Sequence, residues 1–366
     1  MMKGIVLSEQ QAMRRALQLA LGGWGRAAPN PLVGAVLLKD GQVVGEGFHA
    51  GFGEPHAELV ALRTSAAPRG STMVINLEPC AHHGKTPPCV NAIIEAGVKR
   101  VVIAVRDPNP EAGGSVEKLR KAGIDVEVGL LAGEAAALNA PFLWSFARDD
   151  RPFLAVKVAT SLDGFLADAS GRAKWVSGVE SRDFVHWLRA GFDAIAVGRR
   201  TAETDDPQLT VRGAVPPRVT PTRVVFTRGG LRNDLNIVRS AKEVPTVVIT
   251  DPASRANSEK VFAGTGVKLI TAEGRLQALT ALRKQGIISL LVEGGGNLIT
   301  ALLADDLVDR IYWIQAPIFL GSGTRAFGDR TPTLLGDAKS WVATDRQAMG
   351  KDTLLVMEKE LCLPGS

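Results

Sequence analysis

His56-Ala57-Glu58, followed further on by Glu78-Pro79-Cys80-Ala81-His82-His83-Gly84-Lys85-Thr86-Pro87-Pro88-Cys89, decides what the first half of this chain must build. The 366 residues include only five histidines and three cysteines. Four of the histidines (His49, His56, His82, His83) and two of the cysteines (Cys80, Cys89) crowd into this one window. One imidazole and two thiolates supply three ligands to a tetrahedral zinc ion and leave the fourth position to water, the pattern of a catalytic site rather than a closed structural one. Zinc lowers the pKa of bound water to about 7. Glu58, two residues from His56, is placed to take that water's proton and pass it to a leaving amine. This is the chemistry of hydrolytic deamination, and His-x-Glu followed by Pro-Cys and a second Cys is the zinc deaminase signature, in which the glutamate is not a ligand. Eight residues separate the cysteines here instead of two, so the intervening segment must leave and return as a loop. Thr86 reads as a helix cap with Pro87 or Pro88 at the first position and Cys89 in the first turn, where the helix dipole favours its thiolate. Two other readings stand beside this one: a structural zinc site with His82 or His83 as fourth ligand, or buried thiols beside unrelated histidines.

Outward from this window, the first half alternates helix and strand. Ser8 and Gln11 form a capping-box pair, and Met13, Leu17 and Ala20 recur at helical spacing. Val33–Leu38 and Val43–Gly47 read as strands joined at the turn Asp40-Gly41. His56–Leu62 reads as helix, Thr72–Leu77 as a short apolar strand, and Ala92–Gly97 as a helix end stopped by Gly97. Arg100–Val105 and Ile124–Val128 are further strands around a helix at Val116–Ala122. Asp149-Asp150-Arg151-Pro152 breaks the pattern and divides the chain into residues 1–149 and 150–366. Beyond it, strand-like runs at Phe153–Ala159, Ala194–Val197, Arg223–Phe226, Thr246–Ile249 and Ile288–Val292 alternate with helices such as Leu276–Lys284 and Leu298–Ala304. Alternation of this kind predicts an α/β domain on a largely parallel sheet, with the proline-rich Arg212–Pro221 as a loop.

Composition agrees with two domains at roughly 100–200 residues each. A chain 45% hydrophobic and 22% charged is ordinary globular material, which excludes general disorder. No apolar run reaches the roughly 18 residues of a membrane helix, and Met1–Arg15 has no apolar signal core. The expectation is a soluble, cytoplasmic protein. Three cysteines make no disulfide framework at this length, and Cys362, in the tail, carries no role. The net charge is +5, from 43 basic and 38 acidic side chains. Residues 1–150 hold 15 of each, so the surplus lies wholly in residues 151–366, where 19 of the 28 basic side chains are arginine. No Lys/Arg block is long enough for a nucleic-acid tail. Arginine grips phosphate bidentately, so a phosphorylated small ligand and a merely arginine-rich surface are both open.

Pro29-Asn30-Pro31-Leu32-Val33-Gly34, Gly45-Glu46-Gly47-Phe48-His49, His56-Ala57-Glu58, the Glu78–Cys89 segment and Arg106-Asp107-Pro108-Asn109-Pro110 together resemble the bifunctional riboflavin-biosynthesis deaminase–reductases. The long cysteine spacing sets the chain apart from cytidine and tRNA-adenosine deaminases. The resemblance implies an α/β architecture: a cytidine-deaminase-like α/β/α zinc domain followed by a dihydrofolate-reductase-like α/β domain. It implies zinc-hydroxide deamination of a diamino-hydroxy-phosphoribosylamino-pyrimidine to the corresponding amino-uracil, with His56, Cys80 and Cys89 on zinc and Glu58 catalytic. Asn30, His49, His82 and Lys85 would contact the pyrimidine or its phosphoribosyl arm. On residues alone, Asn30 between two prolines also shapes a turn, and His49 also ends a strand.

The second half carries a weaker signal of its own. Val292-Glu293-Gly294-Gly295-Gly296-Asn297 follows a strand and opens a helix, which suits a diphosphate. It is not the Rossmann fingerprint, whose third glycine would fall at Ile299. Lys157 among Leu154, Val156 and Val158 either faces solvent on an edge strand or points into a pocket beside an anion. The family resemblance continues through Lys157–Gly164, Lys174-Trp175-Val176-Ser177, Val197–Thr201, Asp205–Arg212 and Val292–Asn297, and so covers essentially the whole chain. It implies NADPH-dependent reduction of the ribosyl group to ribityl. Ala159, Trp175, Thr201, Asp205 and the Gly294–Ala301 turn, Gly294, Gly295, Gly296 and Asn297 included, fall on the NADPH side. Arg189, Leu209, Arg212 and Glu293 fall on the substrate side, with Arg189 and Arg212 as phosphate clamps. Lys157 and Glu293 steer the proton that accompanies the hydride. Trp175 also reads as a core aromatic, and Arg189 as the solvated face of a helix at Arg182–Arg189. A homo-oligomer, dimer or tetramer, is part of the family expectation. The chain departs from the family pattern at Ala173, which replaces a serine, in the short Glu111–Ser115 loop, and at Arg228, which is placed to hold a 2′-phosphate.

Three rival readings remain on sequence. A nucleic-acid base deaminase would need a basic, aromatic groove near zinc, against the balanced charge of residues 1–150. A zinc-stabilised binding module would not need Glu58. A deaminase with a lapsed reductase is suggested by Ala173.

Overall fold

A computed structural model describes residues 6–82, 88–172, 176–328 and 339–359. The chain folds as two compact units, Met1–Arg148 and Asp149–Ser366. His83, Lys85, Thr86, Ala173, Trp175 and Cys362, singled out in the sequence, lie outside the described residues. Among the described residues, no helix is long and apolar enough to cross a membrane.

In the first unit, α1 (Glu9–Ala20) is followed by the hairpin β1 (Gly34–Lys39) and β2 (Gln42–Phe48), then α2 (Ala57–Thr64), β3 (Thr72–Leu77), α3 (Cys89–Glu95), β4 (Arg100–Val105), α4 (Ser115–Lys121), β5 (Asp125–Val128), α5 (Ala132–Leu138) and α6 (Ala140–Ala147). The Ser8–Gln11 capping box opens α1 as the sequence predicts. The sheet runs β2-β1-β3-β4-β5, antiparallel across β2-β1-β3 and parallel across β3-β4-β5. Strand alternation sends side chains to both faces. Ala35, Leu37, Met73 and Ile75 pack with Ala57 and Ala61 of α2, Val90 and Ile93 of α3, and Val116 and Leu119 of α4. Val36, Leu38, Val74 and Val102 pack with Ala12, Met13 and Ala16 of α1 and Ala135 of α5. The result is a three-layer α/β/α unit. Ile75 is fully buried, and truncating it to alanine costs about 2–5 kcal/mol. Gly47 lets α2 lie flush on β2, because a Cβ there would stand 2.5 Å from the Ala61 nitrogen.

The second unit runs β6 (Phe153–Thr160), β7 (Phe165–Ala167), α7 (Val179–Ala190), β8 (Ala194–Gly198), α8 (Arg199–Asp205), β9 (Thr222–Phe226), α9 (Asn236–Arg239), β10 (Thr246–Thr250), α10 (Arg255–Val261), β11 (Lys268–Thr271), α11 (Arg275–Lys284), β12 (Ser289–Glu293), α12 (Gly296–Ala304), β13 (Arg310–Gln315), β14 (Thr324–Arg325), β15 (Val342–Met349) and β16 (Asp352–Glu358). Its nine-stranded sheet has the order β11-β10-β9-β8-β12-β6-β13-β16-β15. The strands from β11 to β13 are parallel, and the hairpin β15–β16 closes one side antiparallel. Leu154, Val156 and Val158 face α11 and α12 through Leu279, Leu282, Ile299 and Leu302, while Ile195, Val197, Val225 and Val248 meet Ala202, Ile237 and Val238 on the other side. Because β6 lies between β12 and β13, the edge-strand reading of Lys157 is corrected: its strand is interior. Parallel pairing brings the carboxyl ends of β6, β8, β9 and β12 to one sheet margin, the usual place for a ligand crevice.

Candidate active sites

In the first unit, the extended backbone of His56 caps α2 and sets its ring at the mouth of the helix. Cys80 follows β3 by three residues, and Cys89 is the first residue of α3. The three donor atoms lie within 4.8 Å of one another. His56 Nδ1 is 3.3 Å from Cys89 Sγ and 3.6 Å from Cys80 Sγ. Ligands of one tetrahedral zinc keep such separations, about 3.5 Å, given bonds of roughly 2.0 Å to nitrogen and 2.3 Å to sulfur. The donor set therefore fits zinc. The first-position reading of Pro88 is corrected: Pro88 stands at the N-cap of α3, without a side-chain cap, and Cys89 takes the first position. The helix end acts on Cys80 as well as on Cys89. The Cys89 amide donates to Cys80 Sγ at 3.3 Å, so the helix end favours charge on Cys80. The hydrogen bond shared with Cys89, together with His56, holds the Cys80 thiol down to about 4. The same shared bond and burial push the Cys89 thiol up.

Glu58 lies in the first turn of α2, buried, with its carboxyl pushed up to about 7 by that burial. His56 and Cys89 are among the groups that pull that carboxyl back down. His49 is buried just past β2, its ring 5.5 Å from that of His56. Its Nδ1 faces the Pro55 carbonyl at 3.2 Å and its Nε2 faces Asn30 Nδ2 at 3.1 Å. Those partners select the tautomer with a proton on Nδ1, so Asn30 donates to Nε2. The structure thus brings Asn30, His49, His56, Glu58, Cys80 and Cys89 together. His82 is exposed beside Cys80.

Three further side chains support this site through contacts that the motif does not announce. Glu78, buried, accepts from the Ser115 amide at 2.9 Å, the Ser115 hydroxyl at 3.0 Å, and the Asp107 and Val116 amides at 3.3 Å. It thereby ties the strand end bearing Cys80 to the start of α4. Asn76 accepts from the Gly34 amide and donates to the Leu32 carbonyl, and Asn139 grips both backbone groups of Leu32. Together they fix the segment that follows Asn30. The short loop at Glu111–Ser115 still closes on the site: the Ala81 amide donates to the Ala112 carbonyl at 2.9 Å.

In the second unit, Lys157 on β6 stands beside Glu293 on β12 in the parallel register. Arg189 on α7 makes two parallel bonds to Glu293, Nε to Oε1 at 2.5 Å and Nη2 to Oε2 at 2.8 Å. The solvated-face reading of Arg189 is thereby corrected, since its side chain is only 12% exposed. Its inner edge is engaged on Glu293 and its Nη1 donates to the Thr210 carbonyl at 2.8 Å. Burial drives the Lys157 ammonium below the usual lysine range, opposed by Glu293. Burial would raise the Glu293 carboxyl, but Arg189 outweighs it and holds the group below the usual carboxylate range. The cluster is thus a carboxylate beside a lysine whose proton is loosened.

Ala159 lies two residues along β6 from Lys157 and so on the same face. Gly294 and Gly295 turn the chain from β12 into α12 at φ 66° and 82°. A Cβ on Gly295 would stand 2.9 Å from Thr201 Oγ1, so this bare turn and Thr201 form one surface, with Asn297 exposed in the first turn of α12. Asp205 is exposed at the end of α8, and Arg228 is exposed just past β9. Leu209, buried, sits at φ 50°, a left-handed conformation unusual for leucine. Arg212 is exposed, and its amide donates to His186 Nδ1 at 3.1 Å. Sequence reading passed over His186, although its place three residues before Arg189 puts both on one helix face.

Residues 7–105 match the cytidine and deoxycytidylate deaminase zinc-binding region, and residues 152–352 match the RibD C-terminal domain. The riboflavin biosynthesis protein RibD of Aquifex aeolicus (strain VF5) is 41% identical over 322 residues, covering 86% of this chain and 88% of that protein. That of Escherichia coli (strain K12) is 38% identical over 366 residues, covering 95% and 99%. The crystal structure of a diaminohydroxyphosphoribosylaminopyrimidine deaminase/5-amino-6-(5-phosphoribosylamino)uracil reductase from Thermotoga maritima superposes with a TM-score of 0.80 at 36% identity, over 96% of this chain and 98% of that one. A zinc-deaminase region joined to this reductase domain, with identity above one third along nearly the full length, places the chain in the RibD family, the bifunctional deaminase–reductases of riboflavin biosynthesis.

Proposed function

We propose that residues 1–149 deaminate a diamino-phosphoribosylamino-pyrimidine and that residues 150–366 reduce the ribosyl arm of the product to ribityl with NADPH. The observation that carries the first half is the convergence of three zinc-type donors within 4.8 Å beside a buried carboxyl. His56, Cys80 and Cys89 would hold zinc, which when bound acidifies a water. Glu58 then does the proton work: it accepts from the water and delivers to the leaving amine, a two-way task suited to a group near neutrality. His49, locked by Pro55, orients the Asn30 amide and leaves Asn30 Oδ1 to accept an N–H of the pyrimidine. His82 and Lys85 serve the phosphoribosyl arm.

In the second half, NADPH would lie along the carboxyl ends of β6, β8 and β12. Ala159, Thr201, Asp205 and Gly294–Asn297 line its place, Trp175 joins them on the family pattern alone, and Arg228 is available to a 2′-phosphate. When bound, it supplies the hydride. Glu293 keeps Lys157 charged until a proton is needed and binds the substrate with Leu209. Arg212 and the outer edge of Arg189 take its phosphate. Assembly as a homo-oligomer, dimer or tetramer, belongs to the same reading on family grounds. The test is a pair of variants assayed on both substrates. Glu58→Gln is expected to lose ammonia release by about 10²–10⁴-fold and keep NADPH oxidation on the deaminated substrate. Lys157→Ala is expected to do the reverse. Loss of both activities in either variant contradicts two separate sites.

A further inference from the structure

The segment Asp206–Arg212 carries Leu209 and Arg212, yet it has no helix or strand of its own between α8 and β9. Side chains hold its backbone instead. Asn236 Nδ2 donates to the Asp206 carbonyl at 3.2 Å, Arg223 Nη1 to that of Gln208 at 3.3 Å, and Arg189 Nη1 to that of Thr210 at 2.8 Å. The Arg212 amide donates to His186 Nδ1 at 3.1 Å. Every second residue is caught, and Leu209 is pinned between two anchors in its left-handed conformation.

Three of these anchors, an amide and two guanidiniums, keep their hydrogen-bonding sense across the working pH range. His186 does not. Its Nδ1 accepts only while it carries no proton, and a proton there sets one N–H against another. It would also place a new positive charge near Arg189 and Arg212, with Glu293 and Asp183 as the acidic groups that face the ring. Burial and the two arginines keep the imidazole neutral to a lower pH than usual.

We propose that His186 is a positioning residue of the reductase: neutral, it latches the Arg212 end of this segment and so places the Arg212 guanidinium for the substrate's phosphate; protonated, it lets that end go. The proposal rests on the reductase reading above for its consequence in KM, but the latch itself is testable without turnover.

The first readout is hydrogen exchange at residues 211–213. Exchange is expected about tenfold slower in the parent than in His186→Leu at pH 7.5, the effect of one hydrogen bond of ordinary net strength. Equal rates overturn the latch. The second readout is KM against kcat on the deaminated substrate from pH 5 to 8. His186→Leu is expected to raise KM about tenfold at pH 7.5 while kcat stays within about twofold. In the parent, KM is expected to rise towards pH 5 more steeply than the second ionisation of the substrate phosphate, near pH 6, explains. His186→Asn supplies an acceptor that does not titrate. It is expected to recover the neutral KM to within about threefold and to lose the extra acid rise. An unchanged KM in His186→Leu, or the parent's full acid rise in His186→Asn, overturns the proposal. A parent that slows exchange but oxidises no NADPH defeats the reductase reading and not the latch.

Discussion

Replacing Arg189 by methionine measures how much stability the second unit draws from its buried ion pair. The Arg189–Glu293 pair has side-chain exposures of 12% and 10% and two parallel hydrogen bonds, so solvent screens it little. Removing the guanidinium strands a buried carboxylate, which costs about 3–5 kcal/mol. Lys157 offsets part of that, so a loss of about 3 kcal/mol is expected at pH 7. Glu293→Gln alone also destabilises, because Arg189 then lacks its charged partner. In the double variant neither group is left uncompensated, and the combined loss is expected to fall short of the sum by about 2 kcal/mol. The pH dependence has a definite sign. Arg189 holds the folded Glu293 carboxyl below its unfolded value of 4.5, so the pair's stabilisation is fully present above that value and is lost as pH falls through the folded one. The gap between parent and Arg189→Met therefore closes in acid. Hydrogen exchange at β6 and β12 measures this opening free energy for the second unit alone. Additivity within about 0.5 kcal/mol, or a gap that widens in acid, refutes the reasoning.

Three further outcomes are expected. Cys89→Ser, or a chelator applied to the parent, removes bound zinc and ammonia release while NADPH oxidation on the deaminated substrate continues; metal analysis beside the two assays checks this. Glu78→Leu touches no zinc ligand but strands the Ser115, Val116 and Asp107 amides, and at about 1–3 kcal/mol for each unsatisfied buried donor it lowers the stability of the first unit by about 3 kcal/mol or more, read by exchange at β3 and α4, and weakens zinc retention. Gly295→Ala puts a Cβ at φ 82° and 2.9 Å from Thr201 Oγ1, so NADPH affinity, measured by titration, falls at least tenfold while ammonia release is unchanged.

What could be read in the sequence was local. The strands at Thr72–Leu77 and Arg100–Val105 and the Ser8–Gln11 cap are set by neighbours a few residues away, and each stands where the sequence places it. The zinc-type donors were legible because histidine and cysteine are rare and each has few other uses. Long-range partners were not. Nothing beside Glu78 announces that its acceptors are met 37 residues on at Ser115. Nothing around Lys157 tells that β13, which arrives over 150 residues later, covers its strand and makes it interior. Nor does anything near Cys89 tell that its amide points at Cys80.

On this reading one chain carries two working sites in series. Its most direct test follows ammonia release and NADPH loss in one tube, with the zinc-loaded protein and the diamino-phosphoribosylamino-pyrimidine. Ammonia is expected to appear first and NADPH then to fall by the same amount. Ammonia without NADPH loss contradicts the second site. NADPH loss without ammonia contradicts the order, and silence in both, with zinc bound, contradicts the substrate.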